Sequence, residues 1–304
     1  MSLAHTLPVL VLSLGSLATA HFAAWHKGMY CLNGTTPGFD DENTNAIVNP
    51  LFNMTKDDWW FHHYNGCDEF PPAEGDFLEL LAALTLVYRP ANGNFTVELT
   101  VNRAFTTFSF GGARTAAFGD GQNYTDGLGG LDCISELNSA YHTPKQNESM
   151  AAGTAFAISY QSELSAVTPE NLVVFTTLYH TPWKRIATYG VPNLPACPEA
   201  GCICAWGWVP NGCGEPNMYM QGFRCKVVGK TGGAVLAPAI PPTWCEETPD
   251  NCTTGARQMI YWNQFEGSNI FVSGSDSHGS PKSPAYNSVL GFAEGVLGES
   301  TYIF

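Results

Sequence analysis

The chain has 304 residues, of which 44% are hydrophobic, 12% aromatic and 13% charged. Its 13 Lys and Arg residues against 27 Asp and Glu give a net charge of −14, which argues against nucleic acid or an anionic membrane as a partner, because binding to either needs clustered cations. This much hydrophobic and aromatic sequence excludes a disordered chain.

The first twenty residues have the pattern of a secretory signal peptide. An apolar run over residues 7–14 is followed by the small residues Ala18, Thr19 and Ala20, which suit signal peptidase. The run is shorter than the roughly 20 residues that a membrane span needs. We therefore predict a signal peptide over residues 1–20, secretion to the extracellular space, and a single-domain mature chain over residues 21–304 that begins at His21.

The cysteines and glycosylation sequons agree with secretion. All ten cysteines follow the leader, which predicts up to five disulfides in an oxidising compartment. Cys202 and Cys204 could mimic a metal site, but structural zinc sites normally use C-x₂-C pairs. Asn-x-Ser/Thr sequons predict N-glycans at six positions: Asn33, Asn53, Asn94, Asn123, Asn147 and Asn251.

The mature chain has the patterns of an all-β protein. Alternating apolar and polar residues predict a strand over residues 95–102, and residues 156–160, 172–175 and 219–225 also have the composition of strands. Residues 80–88 are apolar throughout and predict a buried strand or a short core helix. A Gly-rich loop (111–130) and a Pro-rich stretch (229–249) separate the strands. We predict an immunoglobulin-like, fibronectin III-like β-sandwich with long loops stapled by disulfides.

Cleavage after Ala20 would give His21 a free α-amino group. That amine and the imidazole Nδ1 of the same residue can chelate one metal ion, and a second imidazole would complete a site of three nitrogens. Nitrogen ligands in a tetragonal arrangement select Cu(II). Spacing alone does not choose the second ligand from the other mature histidines, which are His26, His62, His63, His142, His180 and His278. If His62 and His63 lie on a strand, they point to opposite faces, so at most one could join a shared site.

Several motifs together resemble one protein family. They are Trp25-His26, Met29-Tyr30, Trp59-Trp60-Phe61-His62, Tyr141-His142-Thr143, Cys202-Ile203-Cys204-Ala205-Trp206, Tyr219-Met220-Gln221-Gly222-Phe223-Arg224-Cys225 and Gly255-Ala256-Arg257-Gln258 with Tyr261-Trp262. The chain resembles the fungal lytic polysaccharide monooxygenases of auxiliary activity family 14 over nearly the whole mature sequence. The Cys-Ile-Cys-Ala-Trp and Tyr-x-x-Gly-Phe-x-Cys blocks are the most specific.

The resemblance implies a copper enzyme built on the predicted sandwich. One copper ion would lie in a histidine brace formed by His21 and His142, with Tyr219 as axial ligand. Gln221 is a candidate hydrogen-bond donor to an oxygen species at the copper, and ordinary strand packing is the alternative. The implied monomer takes electrons from an external donor, uses O₂ or H₂O₂, and oxidises C–H bonds beside glycosidic bonds in xylan associated with cellulose.

Three features depart from the family pattern. Residues 81–89 look like an insertion, either real or an error in the gene model. Two cysteines expected near Thr154 and Thr181 are both absent, and Cys31 with Cys67 could form a replacement disulfide. The motif around His26 and His62 is kept only in part, which bears on the substrate surface more than on the metal site.

Two other functions remain open from the sequence. A glycoside hydrolase would need two carboxyl groups at a fixed separation, and candidates are Glu42, Asp57, Asp58, Asp68 and Glu69. A secreted copper- or carbohydrate-binding protein would keep the brace without oxidising polymers. Sugar-stacking candidates are Trp25, Trp59, Trp60, Trp183, Trp206 and Trp208, although we expect most of them in the core because tryptophan is highly buried on average.

Overall fold

The computed structural model describes residues 21–82, 93–124, 148–210, 216–233, 235–275, 281–296 and 302–303. Its strands are β1 (Ala23–Trp25), β2 (Leu78–Ala82), β3 (Gly93–Thr100), β4 (Thr154–Ser159), β5 (Val173–Leu178), β6 (Ile186–Val191), β7 (Cys202–Trp208), β8 (Tyr219–Gly229), β9 (Val235–Leu236), β10 (Gly295–Val296) and β11 (Tyr302–Ile303). One short α-helix, α1, covers Lys56–Trp59. Short 3₁₀ turns cover Ala46–Val48, Trp60–Asn65, Cys67–Glu69, Arg103–Phe105, Phe110–Gly112, Glu148–Met150, Leu164–Ala166, Pro249–Asn251 and Ser288–Leu290.

The strands form a small sheet and a large sheet that share a core. The small sheet has the order β1-β3-β6 and the large sheet the order β10-β5-β4-β7-β8-β2, while β11 pairs with β9 separately. Strand β2 runs parallel to β8, and the other described strand pairs are antiparallel. This arrangement confirms the predicted all-β, immunoglobulin-like sandwich.

Side chains on the large sheet alternate between two buried clusters. Trp206, Trp208, Tyr219 and Phe223 point into the core between the sheets. Their neighbours, such as Met220, point to the outer face, where long loops cover them. Since both faces are covered, every residue of β7 is buried, which is typical of a central strand.

The register of the large sheet defines its two ends. At one end Thr154 of β4 lies opposite Trp208 of β7, which lies opposite Tyr219 of β8. We call this the Tyr219 end. At the other end, Ile203 of β7 lies opposite Arg224 of β8, and we call this the Arg224 end.

The predicted strands are present, with two differences of detail. The apolar segment over residues 80–88 begins as strand β2, whose Leu81 and Ala82 pair with Val228 and Gly229, while residues 83–92 lie outside the described residues. His62 and His63 are not on a strand, so the strand-based expectation for them was wrong. They lie in a 3₁₀ turn, where the hydrophobic ring of Phe61 packs against the outer face of the sheet.

Four disulfides join eight of the ten cysteines. The predicted Cys31–Cys67 bridge is present, and the others are Cys197–Cys202, Cys204–Cys225 and Cys245–Cys252. Cys133 and Cys213 lie outside the described residues. Cys204–Cys225 crosslinks the adjacent strands β7 and β8 within the core.

The two positions near which the resemblance leads us to expect cysteines contact each other. The hydroxyls of Thr154 and Thr181 are hydrogen-bonded at 2.6 Å, and both side chains are buried. The Thr154 hydroxyl also lies 2.6 Å from the hydroxyl of Tyr189, whose oxygen accepts a hydrogen bond from Trp206 Nε1. A polar network therefore occupies the place of a covalent link.

This contact gives a testable prediction. Replacing Thr154 and Thr181 together by cysteine should create a fifth described disulfide. Closing a loop of this length stabilises a fold by about 3 kcal/mol, less about 1 kcal/mol for the lost Tyr189 hydrogen bond. Urea unfolding under oxidising and reducing conditions measures the gain, with Thr154→Cys alone as control. Two free thiols in the oxidised double variant would contradict the prediction.

Candidate metal centre

Two of the three predicted copper ligands meet at the Tyr219 end of the sandwich. Nδ1 of His21 lies 2.6 Å from the phenol oxygen of Tyr219, although 198 residues separate them. Their rings are tilted by 44° with centroids 6.1 Å apart. His21 is half-buried, whereas Tyr219 is 2% exposed. The imidazole nitrogen and the phenol oxygen therefore converge at the rim of the core.

Strand β8 and its neighbour hold the Tyr219 ring in place. Trp208, directly across on β7, stacks on it with centroids 4.6 Å apart and an interplanar angle of 27°. Phe22, which follows His21, packs edge-on against the other side of this aromatic group, 5.9 Å from Trp208. All three rings are buried, so the inner wall of the centre is aromatic and dry.

The side chain of Gln221 fixes the segment that carries His21. Gln221 is two residues from Tyr219 on the same face of β8 and is fully buried. Its amide oxygen accepts a 2.8 Å hydrogen bond from the Ala24 backbone nitrogen. Its amide nitrogen donates to the carbonyls of Phe22 and Ile47 at 3.4 and 3.3 Å. The amide is thus committed to backbone, which favours a positioning role over a hydrogen bond to oxygen at the metal.

The reason for this arrangement lies in the topology of the small sheet. Strand β1 is its edge strand and pairs with β3 along one side only. Its other edge faces the core, where unpaired backbone groups are costly. Gln221 supplies the missing partners there, as a neighbouring strand would. The sequence analysis named Gln221 without this role. The feature that could have revealed it is a single amide side chain at an inward-facing position of an apolar strand.

Two buried polar atoms beside Tyr219 have no hydrogen-bond partner among the described residues. They are Nε1 of Trp208 and the amide oxygen of Asn217, a residue that is 4% exposed. Asn217 precedes Tyr219 by two residues, just before β8 begins. Unsatisfied buried groups are rare in native proteins and call for a specific reason.

The described donor set is suitable for copper. An imidazole nitrogen and a phenol oxygen suit Cu(II), which prefers nitrogen and oxygen ligands in tetragonal geometry. In the full chain the backbone nitrogen of His21 belongs to the peptide bond with Ala20, and removal of residues 1–20 would turn it into an amine. His142 lies outside the described residues. Within the described ranges no three His, Cys, Asp or Glu side chains are grouped to hold a metal, but the predicted site uses an amine and a phenol instead.

The other described histidines include two core groups. His26 is half-buried, and its Nδ1 accepts a hydrogen bond from the Gly28 backbone nitrogen. Burial, then the charge of Lys27, lowers the pKa of His26 to about 4. Burial also lowers the pKa of His62 to about 4, against an opposing hydrogen bond with Asn65. His62 is fully buried and His26 half-buried, so burial keeps both rings neutral near pH 7. His278 lies outside the described residues.

Most of the sugar-stacking candidates lie in the core, as expected. Trp25, Trp59, Trp206 and Trp208 are fully buried, and Trp183 is 5% exposed. Trp60 alone among the six candidates is half-buried. Four exposed rings were not among these candidates, which were all tryptophans: Phe39 (59%), Tyr64 (55%), Phe265 (73%) and Phe271 (88%).

The acidic candidates for hydrolysis have structural contacts. Glu42 accepts a hydrogen bond from the Phe110 backbone nitrogen. Asp58 accepts from the hydroxyl of Thr55, the residue that caps helix α1. Asp68 lies 3.9 Å from His63. These contacts give the acidic side chains roles in turns and caps.

Comparison with known proteins gives one consistent answer. The model of the family described as lytic polysaccharide monooxygenase AA14 matches residues 3–300. The chain is 35% identical over 297 residues to AA14 family lytic polysaccharide monooxygenase A of Trametes coccinea (strain BRFM310). It is 34% identical over 292 residues to AA14 family lytic polysaccharide monooxygenase B of Pycnoporus cinnabarinus.

The shared lengths differ between relatives. The alignments cover 94% and 92% of this chain, but 62% of the Trametes protein and 70% of the Pycnoporus protein. The chain thus spans less than two thirds of the Trametes relative. AA14 family lytic polysaccharide monooxygenase B of Talaromyces rugulosus is 33% identical over 304 residues, covering 95% of this chain and 94% of that protein.

The Gln221 contacts predict a local loss of order in one variant. Gln221→Leu should lower the free energy of unfolding by about 1–3 kcal/mol, because the buried Ala24 nitrogen loses its acceptor. Amide exchange at Ala24 should also accelerate. Gln258→Leu is the matched control, since Gln258 is a buried amide with its own hydrogen bonds to Ala239 and Asn269. It should cost similar stability without changing exchange at Ala24, and equal exchange in both variants would reject the positioning role.

The buried His62 predicts a pH-dependent stability. Its pKa is about 4 in the folded protein and 6.5 in the unfolded chain, so only the unfolded chain takes up this proton between these values. Its contribution to stability is therefore complete above pH 6.5 and falls towards pH 4, by about 3 kcal/mol in total. His62→Asn keeps a residue that tolerates the positive φ of this position. Urea unfolding should show a weaker fall with acidification in this variant, and identical slopes would refute the prediction.

Proposed function

The chain belongs to the AA14 family of lytic polysaccharide monooxygenases, and we propose that it is a secreted, copper-dependent enzyme that oxidises xylan associated with cellulose. Family membership confirms the resemblance found in the sequence and argues against a hydrolase. Family membership alone does not give the substrate, the individual copper ligands or secretion, and these are what we propose.

One contact carries the proposal. His21 Nδ1 and the Tyr219 phenol oxygen lie 2.6 Å apart, at the residue where the predicted leader ends. We propose that His21, through its amine and imidazole, would hold copper together with His142 and Tyr219. His21 lies two residues before β1 begins, and this contact brings the first mature residue against a buried tyrosine of a distant strand.

Copper supplies the redox chemistry when it is bound. Hydroxylation of a C–H bond with O₂ consumes two electrons from an external donor and two protons, and it yields the hydroxylated sugar and water. With H₂O₂ as co-substrate, the oxygen and the electron balance both come from the peroxide. Hydroxylation beside the glycosidic oxygen then breaks the chain.

The chain's own residues bind and orient the site. Gln221 fixes the backbone on either side of Ala23, and thereby limits where the His21 ring can lie. Trp208 and Phe22 fill the space behind Tyr219 and exclude water from that side. His21 is half-buried, so the site opens at the protein surface. An open site suits a polymer that cannot enter a deep pocket.

The charge of the protein supports a neutral substrate. A net charge of −14 would repel polyanions at low salt, whereas the backbones of xylan and cellulose are uncharged. The names of the relatives mention polysaccharide without naming one. We infer xylan from the family resemblance, and an external electron donor and a monomer in solution are further parts of the proposal.

Secretion has independent support. The described cysteines are all in disulfides, which persist in oxidising compartments. Sequon residues Asn33, Asn53, Asn94, Asn123 and Asn251 are exposed, as N-glycosylation requires, and Asn147 lies outside the described residues. Within the described ranges, no helix has the length and apolar character for crossing a membrane.

Product analysis tests the proposed function. Secreted, copper-loaded protein with a reductant should release oxidised oligosaccharides from xylan-coated cellulose, detected by mass spectrometry. His142→Ala should abolish them and change the copper EPR spectrum, because one equatorial nitrogen is lost.

Each alternative has its own result. Unoxidised sugars that survive a chelator would indicate a hydrolase. Copper binding without any oxidised product would favour the copper- or carbohydrate-binding protein. An unchanged EPR spectrum in His142→Ala would reject His142 as a ligand.

A further inference from the structure

A second concave surface lies away from the metal centre. It is a cleft of about 560 Å³, open to solvent, between α1 with its following turn and the loop after β4. Its walls include Tyr30, Lys56, Trp60, Asp68, Glu163 and Arg224. The proposed copper chemistry uses none of these residues.

The register of β8 places this cleft relative to the metal centre. Arg224 belongs to the Arg224 end of the large sheet, five positions along β8 from Tyr219. At a rise of about 3.3 Å per residue, this is roughly 17 Å. Alternation also puts Arg224 on the outer face, with Met220, whereas Tyr219 points into the core. The cleft and the metal centre are therefore separate sites on one strand.

Trp60 gives the cleft an aromatic wall. Its ring is half-buried and is fixed by edge-on contacts with Trp59, Phe61 and Tyr261, whose centroids lie 5.4, 5.1 and 5.6 Å away. Lys56 Nζ lies 5.5 Å from the ring centroid. The ammonium lies over the ring, so a sugar that stacks on this face would displace the exposed side chain of Lys56.

The polar groups around the ring include both signs of charge. Asp57, Asp68 and Glu163 face Lys56 and Arg224. The Asp68 oxygen Oδ1 is buried and has no hydrogen-bond partner among the described residues. Arg224 has five N–H donors, and one of its nitrogens, Nη2, donates to the Ala200 carbonyl at 3.3 Å. The cleft thus offers donors and acceptors in near charge balance, which favours an uncharged, hydroxyl-rich ligand over an ion.

The walls of the cleft are held rigidly. The Cys31–Cys67 disulfide joins the segment of Tyr30 to the turn that contains Asp68. The Tyr30 nitrogen donates to the Gly222 carbonyl of β8 at 3.0 Å, and the Cys31 nitrogen donates to the Phe70 carbonyl at 2.9 Å. A preformed site loses little conformational entropy on binding.

We propose that this cleft is a second carbohydrate-binding site, which holds an uncharged stretch of a polysaccharide chain. The Trp60 ring stacks on the C–H face of a sugar. Asp68 accepts hydrogen bonds from its hydroxyls, and Arg224 donates to its oxygens. Naming a polysaccharide as the ligand rests on the proposed function, since the same polymer would be held at one site and oxidised at the other.

Binding to copper-free protein tests the proposal. Calorimetry with xylohexaose and cellohexaose, after chelation and dialysis, should detect binding of at least one of them. Trp60→Ala should weaken it at least tenfold, and Asp68→Asn severalfold. Trp244→Ala is the matched control, because Trp244 is also half-buried with a lysine, Lys282, 5.0 Å from its ring centroid. It should bind within twofold of the parent.

The outcomes separate this proposal from the proposed function. The proposed binding site is wrong if both Trp60→Ala and Asp68→Asn bind the oligosaccharides as tightly as the parent. It is also wrong if the folded parent binds neither oligosaccharide. Because copper is absent, neither result depends on oxidation. Asp68→Asn preserves the shape of the side chain, so it keeps the test decisive if Trp60→Ala fails to fold.

Discussion

The free edge of strand β1 is the constraint on which the metal centre depends. This strand pairs with β3 on one side and would leave backbone groups unpaired in the core on the other. Gln221 of β8 satisfies that edge with a single side chain. Since Tyr219 lies two residues away on the same face, one strand sets the position of both halves of the predicted ligand pair. The geometry of the centre is thereby part of the packing of the sandwich.

Local sequence patterns predicted much of the fold, whereas the remainder depends on contacts between segments that are distant in the sequence. Alternation located β3 because it reports which residues face the core, and composition located β4, β5 and β8. Both passed over β6, where the inward positions include the small Ala187. The turn at residues 60–65 was also beyond local reasoning. Phe61 and His62 have positive φ, which non-glycine residues seldom adopt, and only the packing of Phe61 beside Gly222 explains it.

The candidate site was also predictable from the sequence only in part. His21 was named from the predicted leader cleavage, and His142 and Tyr219 from a resemblance. The meeting of His21 with Tyr219 appears only when β1 and β8 are packed together. The tryptophans show the opposite limit. The composition suggests many rings that could stack on sugars. Both faces of the large sheet are covered, however, and most of the tryptophans are buried in the two resulting clusters. Trp60 escapes because it lies in the covering layer itself.

The hydrogen bonds of Gln221 involve atoms of Phe22, Ala24 and Ile47, and none involves the nitrogen of His21. These three hydrogen bonds therefore do not require a free amine at His21. A recombinant batch that retains one leader residue could keep all of these hydrogen bonds and so pass a test of folding. It would nevertheless lack the primary amine of the proposed copper site. Intact-mass analysis of the N-terminus, rather than any test of folding, is thus the relevant purity criterion when specific activities are compared between expression hosts.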